Sequence, residues 1–396
     1  MNRDEDERWM QAALAFGRRS LGLAAPNPSV GALLLDNGIV VGRGVTGQGG
    51  RPHAERRALD EAGEAARGAT LYVTLEPCSH HGVTPPCAEA VVAAGVSRVV
   101  CALGDPDPRV AGRGLGLLRN AGVEVLLGPG AAAARRDHRG HILRVTRGRP
   151  MVTLKLARTA DGFAAGDEHD LRLAITGQTA NLRVQVMRSM HDAIMVGVGT
   201  AIADDPLLTV RLPGVDHRPL RVVLDSQLRL PPSSRLCATA GDYPTVVLTT
   251  PAASSDRASV LKAHGVEVAR VGAESDLQLG LDAALGWLGQ RGITRVFSEG
   301  GPTVAARLIR EGLADEVVLL TAIKPLGRPG LPALPPEAYA RLEDASRYAE
   351  CEGADYGTDK MRRWERRDDG MSTSRNVAAL VRASSRDSRR GRPSDI

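Results

Sequence analysis

Hydrophobic positions along this chain fall into short runs punctuated by Gly, Pro, Asn and Asp, the pattern of alternating strands and helices. Val30–Leu35 and Ile39–Val45 flank Asp36-Asn37-Gly38, which reads as a tight hairpin turn. Pro52 suits the first position of a helix, and Ala69–Leu75 reads as a buried strand. Thr84-Pro85-Pro86 is expected to cap and start a helix that runs to Ala94 and stops at Gly95. Arg98–Leu103, a helix near Leu115–Asn120, and Val123–Leu127 complete one sheet layered with helices.

Residues 128–150, rich in Ala, Arg and Gly, read as a connection. A second α/β series then begins. Its expected strands are Val152–Leu156, Ala193–Val198, Leu220–Leu224, Thr245–Leu248, Val266–Val271, Arg295–Ser298 and Glu316–Thr321. Its expected helices lie near Thr179–Ser189, Leu277–Leu288 and Thr303–Glu311. The pattern divides the chain into domains at 1–147 and 148–366, with a Ser/Arg-rich tail over 367–396 that lacks apolar periodicity and is expected to be disordered.

A length of 396 residues fits two domains better than one. Aromatic residues are only 3% of the chain, so its cores must be built from Val, Leu, Ala and Ile. The net charge of +5 points first to nucleic acid, but its location argues against that. Residues 361–396 hold ten Arg against five acidic residues, which leaves the rest neutral overall. Five Cys and an acidic N-terminus, MNRDEDERWM, argue against a disulfide framework and a secretory signal. No apolar run is long enough to span a membrane, so a cytoplasmic location is expected.

The strongest chemical signal is His53-Ala54-Glu55 followed by Pro77-Cys78 and Cys87. One imidazole and two thiolates suit Zn2+ and leave its fourth position for water, as in a catalytic site. Glu55 is placed to move the protons of a hydrolytic deamination, the role of the carboxylate in zinc deaminases as a class. Both ligand segments are expected at helix N-termini, where the dipole favours thiolate. His80 or His81 could instead close the site as a fourth ligand, giving a structural zinc.

The order Leu75-Glu76-Pro77-Cys78-Ser79-His80-His81-Gly82-Val83-Thr84-Pro85-Pro86-Cys87 resembles the signature of the riboflavin-pathway deaminases. Pro26-Asn27-Pro28-Ser29-Val30-Gly31 and Asp105-Pro106-Asp107-Pro108-Arg109-Val110-Ala111-Gly112 resemble it too. The resemblance implies a cytidine-deaminase-like three-layer domain and places Asn27 and His80 at the pyrimidine or ribose. The chain has Val83 where that family carries Arg or Lys toward the substrate phosphate.

In the second half, Ser298-Glu299-Gly300-Gly301-Pro302-Thr303 joins an expected strand to an expected helix, a setting that suits a phosphate. Lys155-Leu156-Ala157, Asp161-Gly162, Ile175-Thr176-Gly177, the run from Asp192 to Thr200 and the run from Asp204 to Arg211 appear around it. This series is similar to the reductase half of the same bifunctional family, with its dihydrofolate-reductase-like α/β fold. The resemblance implies NADPH held by Thr200, Asp204, Gly301, Pro302 and Thr303. It implies a pyrimidine ribosylamine phosphate held by Arg188, Leu208, Arg211 and Glu299, with the two arginines on the phosphate. Departures fall at Arg172, Ala174, Thr159-Ala160 and Gln185.

Taken together, these residues lead to a two-step enzyme: zinc-dependent deamination followed by NADPH-dependent reduction of a ribosyl chain to ribityl. A small-molecule substrate, no nucleic-acid partner, no membrane partner and a homo-oligomeric state are expected. A nucleoside or nucleic-acid base deaminase with an unrelated appendage is the competing enzyme class, and a zinc-stabilised RNA-binding module the competing non-enzyme.

Overall fold

The computed structural model describes residues 3–81, 85–167, 170, 173–275 and 278–367. Val83, Arg172, the expected cap at Thr84 and the expected disorder of residues 368–396 lie outside the described residues. The chain divides into two compact units, one ending at Thr146 and the other spanning Arg147–Arg367.

The first unit carries strands β1 (Gly31–Asp36), β2 (Ile39–Val45), β3 (Thr70–Val73), β4 (Arg98–Cys101) and β5 (Glu124–Leu127). Its helices are α1 (Arg3–Gly17), α2 (Ala54–Ala62), α3 (Cys87–Ala93), α4 (Arg113–Asn120), α5 (Ala131–Asp137) and α6 (Arg139–Arg147). The sheet order is β2-β1-β3-β4-β5, antiparallel at β2-β1-β3 and parallel from β3 to β5. Asn37 and Gly38 both take positive φ (48° and 78°), the requirement of the two-residue hairpin turn read from the sequence.

Two glycines set the layering. A Cβ on Gly31 would lie 2.0 Å from the Ala13 carbonyl of α1, and a Cβ on Gly44 would lie 1.9 Å from the Ala54 carbonyl of α2. Gly44 pairs with Ala32, the neighbour of Gly31, so α1 and α2 cover opposite faces of the sheet. The absence of a side chain at Gly44 thus lets the N-terminus of α2, with His53 and Glu55, sit tight against β2.

Residues 128–150 are not a plain connection: α5 and α6 occupy most of them and bury Ala133, Ala134, Ile142 and Leu143. The buried side of α5 is alanine and that of α6 includes Arg139, Gly140 and His141, so neither stands out among the arginines. Helix α1 was likewise hidden by its charge, since its buried face contains only Asp6, Met10, Ala13, Leu14 and Gly17. Asp6 is kept ionised by Arg98, whose Nη1 and Nη2 donate to its carboxylate at 2.7 and 2.8 Å, while the Tyr72 hydroxyl donates to Oδ1.

The second unit carries β6 (Met151–Arg158), β7 (Phe163–Ala165), β8 (Ala193–Gly197), β9 (Leu220–Leu224), β10 (Thr245–Thr249) and β11 (Glu267–Arg270). There follow β12 (Ala273–Ser275), β13 (Gln278–Leu279), β14 (Arg295–Ser298), β15 (Glu316–Thr321), β16 (Leu331–Pro332), β17 (Tyr348–Tyr356) and β18 (Asp359–Arg366). The helices are α7 (Gln178–Ser189), α8 (Val198–Asp204), α9 (Arg235–Ala238), α10 (Ser255–Ala263), α11 (Leu281–Gln290), α12 (Pro302–Arg310) and α13 (Pro336–Glu343). The main sheet runs β11-β10-β9-β8-β14-β6-β15-β18-β17. It is parallel as far as β15 and ends in an antiparallel hairpin, while β7/β16 and β12/β13 form small ribbons.

Alternating side chains feed two cores. Val152, Leu154, Met195, Val222, Val317 and Leu319 enter one; Ile194, Val196, Val223, Val318 and Leu320 enter the other. A parallel sheet buried on both faces needs such nearly continuous apolar strands, which is why the six strands from β10 to β15 in the sheet order were legible. The hairpin β17/β18 was not, because its exposed side is charged.

His191 lies within this sheet unit, 4% exposed, with Nδ1 2.6 Å from the Met187 carbonyl and Nε2 3.0 Å from Thr153 Oγ1. Burial, helped by the nearby Arg295 charge, lowers its pKa to about 3. Below the ordinary histidine pKa the unfolded chain binds a proton that the folded chain refuses. The contribution is therefore complete above about pH 6.5 and is lost as pH falls toward about 3. Between pH 7.5 and 5.0 we expect roughly 2 kcal/mol of lost stability from this group. Urea unfolding of wild type and His191→Gln at both pH values measures it; equal pH dependence in the two proteins would contradict the assignment.

Candidate active sites

In the first unit, His53 is the N-cap of α2 and Cys87 is the first residue of α3, as expected of helix-terminal ligands. Cys78 instead lies in the loop after β3. Its Sγ accepts the Cys87 backbone N–H at 3.3 Å, which joins loop and helix. His53 Nδ1 lies 3.3 Å from Cys87 Sγ and 3.6 Å from Cys78 Sγ. The three ligand atoms fall within 4.8 Å of one another.

The acid–base chemistry of the trio fits a cation. The Cys78 thiol is lowered to about 4, chiefly because the Cys87 thiol donates to it, with His53 adding to the effect against burial. Cys87 is driven far above the thiol range by that same bond and by burial. His53 is raised, first by its contact with Cys78. The buried site therefore holds one thiolate by itself, and a second requires positive charge between the sulfurs. A divalent metal supplies that charge, and Zn2+ matches the donor set.

His80 and His81 do not join the trio among the described residues. His81 Nε2 lies 3.7 Å from Glu89 Oε2 on the exposed side of α3. His80 is half-buried, and among the described residues its Nδ1 has no hydrogen-bond partner. Asn27 Nδ2 donates to the Gly50 carbonyl at 2.9 Å and lies 3.4 Å from His53 Nε2, so this residue meets the metal ligand itself. Glu55 is 4% exposed, the second residue of α2, and burial raises its carboxyl to about 7.

Sequence reasoning passed over Glu76. Its carboxylate accepts backbone N–H groups from Asp105, Gly112, Gly114 and Leu115 at 3.0 to 3.3 Å. It thereby caps α4 and fastens the loop from Asp105 to Gly112 against the segment leading to Cys78. A Cβ on Gly114 would lie 2.0 Å from the Pro77 carbonyl, so the approach is close. The signal was present as a Glu two residues before Cys78, but its partners are all distant in the chain.

We expect Cys78→Ser to lose bound zinc and deamination together while the reductase reaction of the second unit continues. Elemental analysis with separate assays of the two reactions measures this; a full equivalent of zinc in the variant would refute the ligand set.

In the second unit, the C-terminal ends of β6, β8 and β9 and the turn after β14 open on one cavity of about 1830 Å3. Thr200, Asp204, Gly301, Pro302 and Thr303, the residues expected at a cofactor, all line it. So do Arg188, Leu208, Arg211 and Glu299, the residues expected at the substrate. Its volume exceeds the roughly 300–1,000 Å3 of a single small-ligand site, so a dinucleotide and a substrate fit side by side. Gly301 is the N-cap of α12 and Pro302 its first residue. A Cβ on Gly301 would lie 2.8 Å from Thr200 Oγ1, so only glycine leaves the helix N-terminus accessible to phosphate. The cradle fits NADPH.

Within this cavity Arg188 is paired with a carboxylate. Its Nε and Nη2 donate to Glu299 Oε1 and Oε2 at 2.6 and 3.0 Å, and Nη1 donates to the Thr209 carbonyl at 2.9 Å. Burial would raise the Glu299 carboxyl, but Arg188, aided by Lys155 and Arg211, holds it below the usual range. Gln185 Oε1 accepts the Arg211 backbone N–H at 2.8 Å and fixes the start of that side chain.

The segment from Asp205 to Leu208 contains two non-glycine residues at positive φ, Asp205 at 38° and Leu208 at 50°. Such backbone persists only where its surroundings enforce it. The enforcing residue is Arg221, fully buried, whose Nη1 donates to the Leu207 carbonyl at 3.1 Å. Its other donors meet Thr239 Oγ1, Thr245 Oγ1 and the Leu236 and Tyr243 carbonyls.

The two sites define a class: a hydrolytic zinc deaminase joined in one chain to a dihydrofolate-reductase-like pyrimidine reductase. Residues 3–103 match the family model of the cytidine and deoxycytidylate deaminase zinc-binding region, and residues 150–353 match that of the RibD C-terminal domain. The chain belongs to the family of the riboflavin biosynthesis protein RibD. It is 38% identical over 327 residues to riboflavin biosynthesis protein RibD of Aquifex aeolicus, covering 83% of this chain and 89% of that one. The structure of Acinetobacter baumannii RibD is similar with a TM-score of 0.81 and 34% identity, over 93% of this chain and 100% of that one. A Thermotoga maritima structure described as a diaminohydroxyphosphoribosylaminopyrimidine deaminase/5-amino-6-(5-phosphoribosylamino)uracil reductase matches with a TM-score of 0.78 and 31% identity. That match covers 92% of this chain and 99% of the Thermotoga chain.

Proposed function

We propose that this chain catalyses two steps of riboflavin biosynthesis on one phosphorylated pyrimidine. The first unit deaminates 2,5-diamino-6-(5-phosphoribosylamino)pyrimidin-4-one to the uracil, and the second reduces the ribosyl chain of the product to ribityl. The observation that carries this reading is the presence in one chain of a His53/Cys78/Cys87 trio with Glu55 beside it and a cavity large enough for two ligands.

Zinc held by His53, Cys78 and Cys87 supplies Lewis acidity that brings the pKa of water toward neutrality. Glu55 handles the protons: it takes one from the attacking water, delivers it to the ring nitrogen, and protonates the departing ammonia. Asn27, beside His53, and His80 contact the pyrimidine or ribose. His53 is oriented through its second ring nitrogen by Asn27.

In the second unit NADPH supplies the hydride when bound. Thr200, Asp204, Gly301, Pro302 and Thr303 hold it, with the N-terminus of α12 on its phosphates. Leu208 and Arg211 contact the ribose phosphate. Arg188 acts with Glu299 as one neutral pair, which presents the Glu299 carboxylate to the sugar hydroxyls and leaves Arg211 and Lys155 to attract the phosphate.

No helix among the described residues is long and apolar enough to cross a membrane. A cytoplasmic location and a homo-oligomeric state complete the proposal; fractionation and light scattering test them. The decisive experiment incubates purified protein with the diaminopyrimidinone phosphate and follows products by mass spectrometry. Exchange of one nitrogen for oxygen is expected without NADPH, and gain of two hydrogens after NADPH is added. An unchanged substrate in zinc-replete protein overturns the reading.

A further inference from the structure

The main cavity has a side branch of about 260 Å3. Arg188, Arg211 and Arg235 line this branch, with Asp204, Pro206, Leu207 and Leu208 completing its wall. Two charges near it are already balanced, because Arg188 is matched by Glu299 in a two-point ion pair. Arg235 differs: its side chain is exposed, and among the described residues its guanidinium makes a single long 3.5 Å contact, from Nη1 to the Asp205 carbonyl. Its backbone N–H donates to Asp205 Oδ1 at 2.8 Å, which holds the residue at the mouth. Ser234 caps α9 from the next position by accepting the Cys237 backbone N–H, so the base of the side chain is fixed from both sides.

We infer that Arg235 is the second cationic arm of the substrate-phosphate subsite in the reductase unit, working with Arg211 across this branch. The inference rests on the proposed reductase function and adds to it a residue that determines selectivity for the phosphorylated substrate. A phosphate dianion needs more than one cation when it leaves water. Within the branch Arg211 supplies one, Lys155 lining the main cavity instead, and the Arg188 fork is taken by Glu299. The branch is too small for a nucleotide but roomy for a phosphate group. Arg221 ties the Leu207 carbonyl to the sheet, so the wall between the two arginines is fixed before substrate arrives.

The test compares wild type, Arg235→Gln and Arg235→Lys with NADPH and either the phosphorylated uracil substrate or its dephosphorylated form. Arg235→Gln is expected to raise KM for the phosphorylated substrate about ten- to a hundredfold, the value of one charge-assisted hydrogen bond. KM for the dephosphorylated form and the dissociation constant of NADPH should stay as in wild type, so selectivity for phosphate collapses. Arg235→Lys should recover part of the loss, and inorganic phosphate should inhibit wild type more strongly than Arg235→Gln. An unchanged KM for the phosphorylated substrate, or equal losses on both substrates, overturns the inference and makes Arg235 structural. Failure of wild type to reduce the phosphorylated substrate at all would instead overturn the proposed reductase function.

Discussion

Replacing Glu55 by Gln is expected to reduce deamination by at least 10²–10⁴-fold, the usual contribution of a general acid–base group. The loss should sit in kcat, because Glu55 lies outside the ligand trio and its amide keeps the shape of the carboxyl group. Zinc content should be retained, since His53, Cys78 and Cys87 are untouched. Reduction of already deaminated substrate should continue at the wild-type rate, because the second unit has its own cores and its own cavity. Single-turnover assays with elemental analysis decide the matter. Wild-type deamination in Glu55→Gln would remove this residue from the mechanism, and loss of zinc would make its role structural.

The second large effect is expected from Arg188→Met. Glu299 would be left as a buried carboxylate without its two-point partner. Removing one member of a buried ion pair costs about 3–5 kcal/mol. The Glu299 carboxyl should then rise in pKa, since burial is the largest influence on it. Reduction should fall on the order of 10²-fold or more in kcat/KM, with deamination unchanged. The double variant Arg188→Met/Glu299→Gln should recover stability but not reduction, because the charge left unpaired is then gone while the polar contact to substrate stays lost. Thermal unfolding and steady-state kinetics on the three variants test this. A double variant no more stable than Arg188→Met alone would show that the pair is not coupled.

Elements whose determinants are adjacent in the chain were readable in advance. Asn37-Gly38 specifies its turn because both residues tolerate positive φ. His53-x-Glu55 places ligand and carboxylate together because only one residue separates them at the start of a helix. The six parallel strands inside the sheet announced themselves because burial on both faces demands continuous apolar runs, whereas the edge strand β11 is only half-buried. Helices α1, α5 and α6 did not, because small or charged residues on their inner faces blur the 3.6-residue period.

Pairings across long stretches of chain belong to the tertiary structure. The sequence by itself singled out the His53/Cys78/Cys87 trio, the neighbouring Glu55 carboxylate, the glycine turn before α12 and the two-part organisation of the chain. Arg188 could be read as a phosphate ligand until the sheet order brought Glu299, 111 positions away, into its fork. Glu76 could be read as part of a motif until the turn after β4 delivered four backbone N–H groups to it. Arg235 carries no local signature at all; it faces Arg211 only because both segments border the same branch of the cavity. The physical reason is the range of the forces involved. Turn geometry and ligand spacing are encoded in neighbouring residues, whereas the partner of a buried charge is chosen by which strands lie side by side.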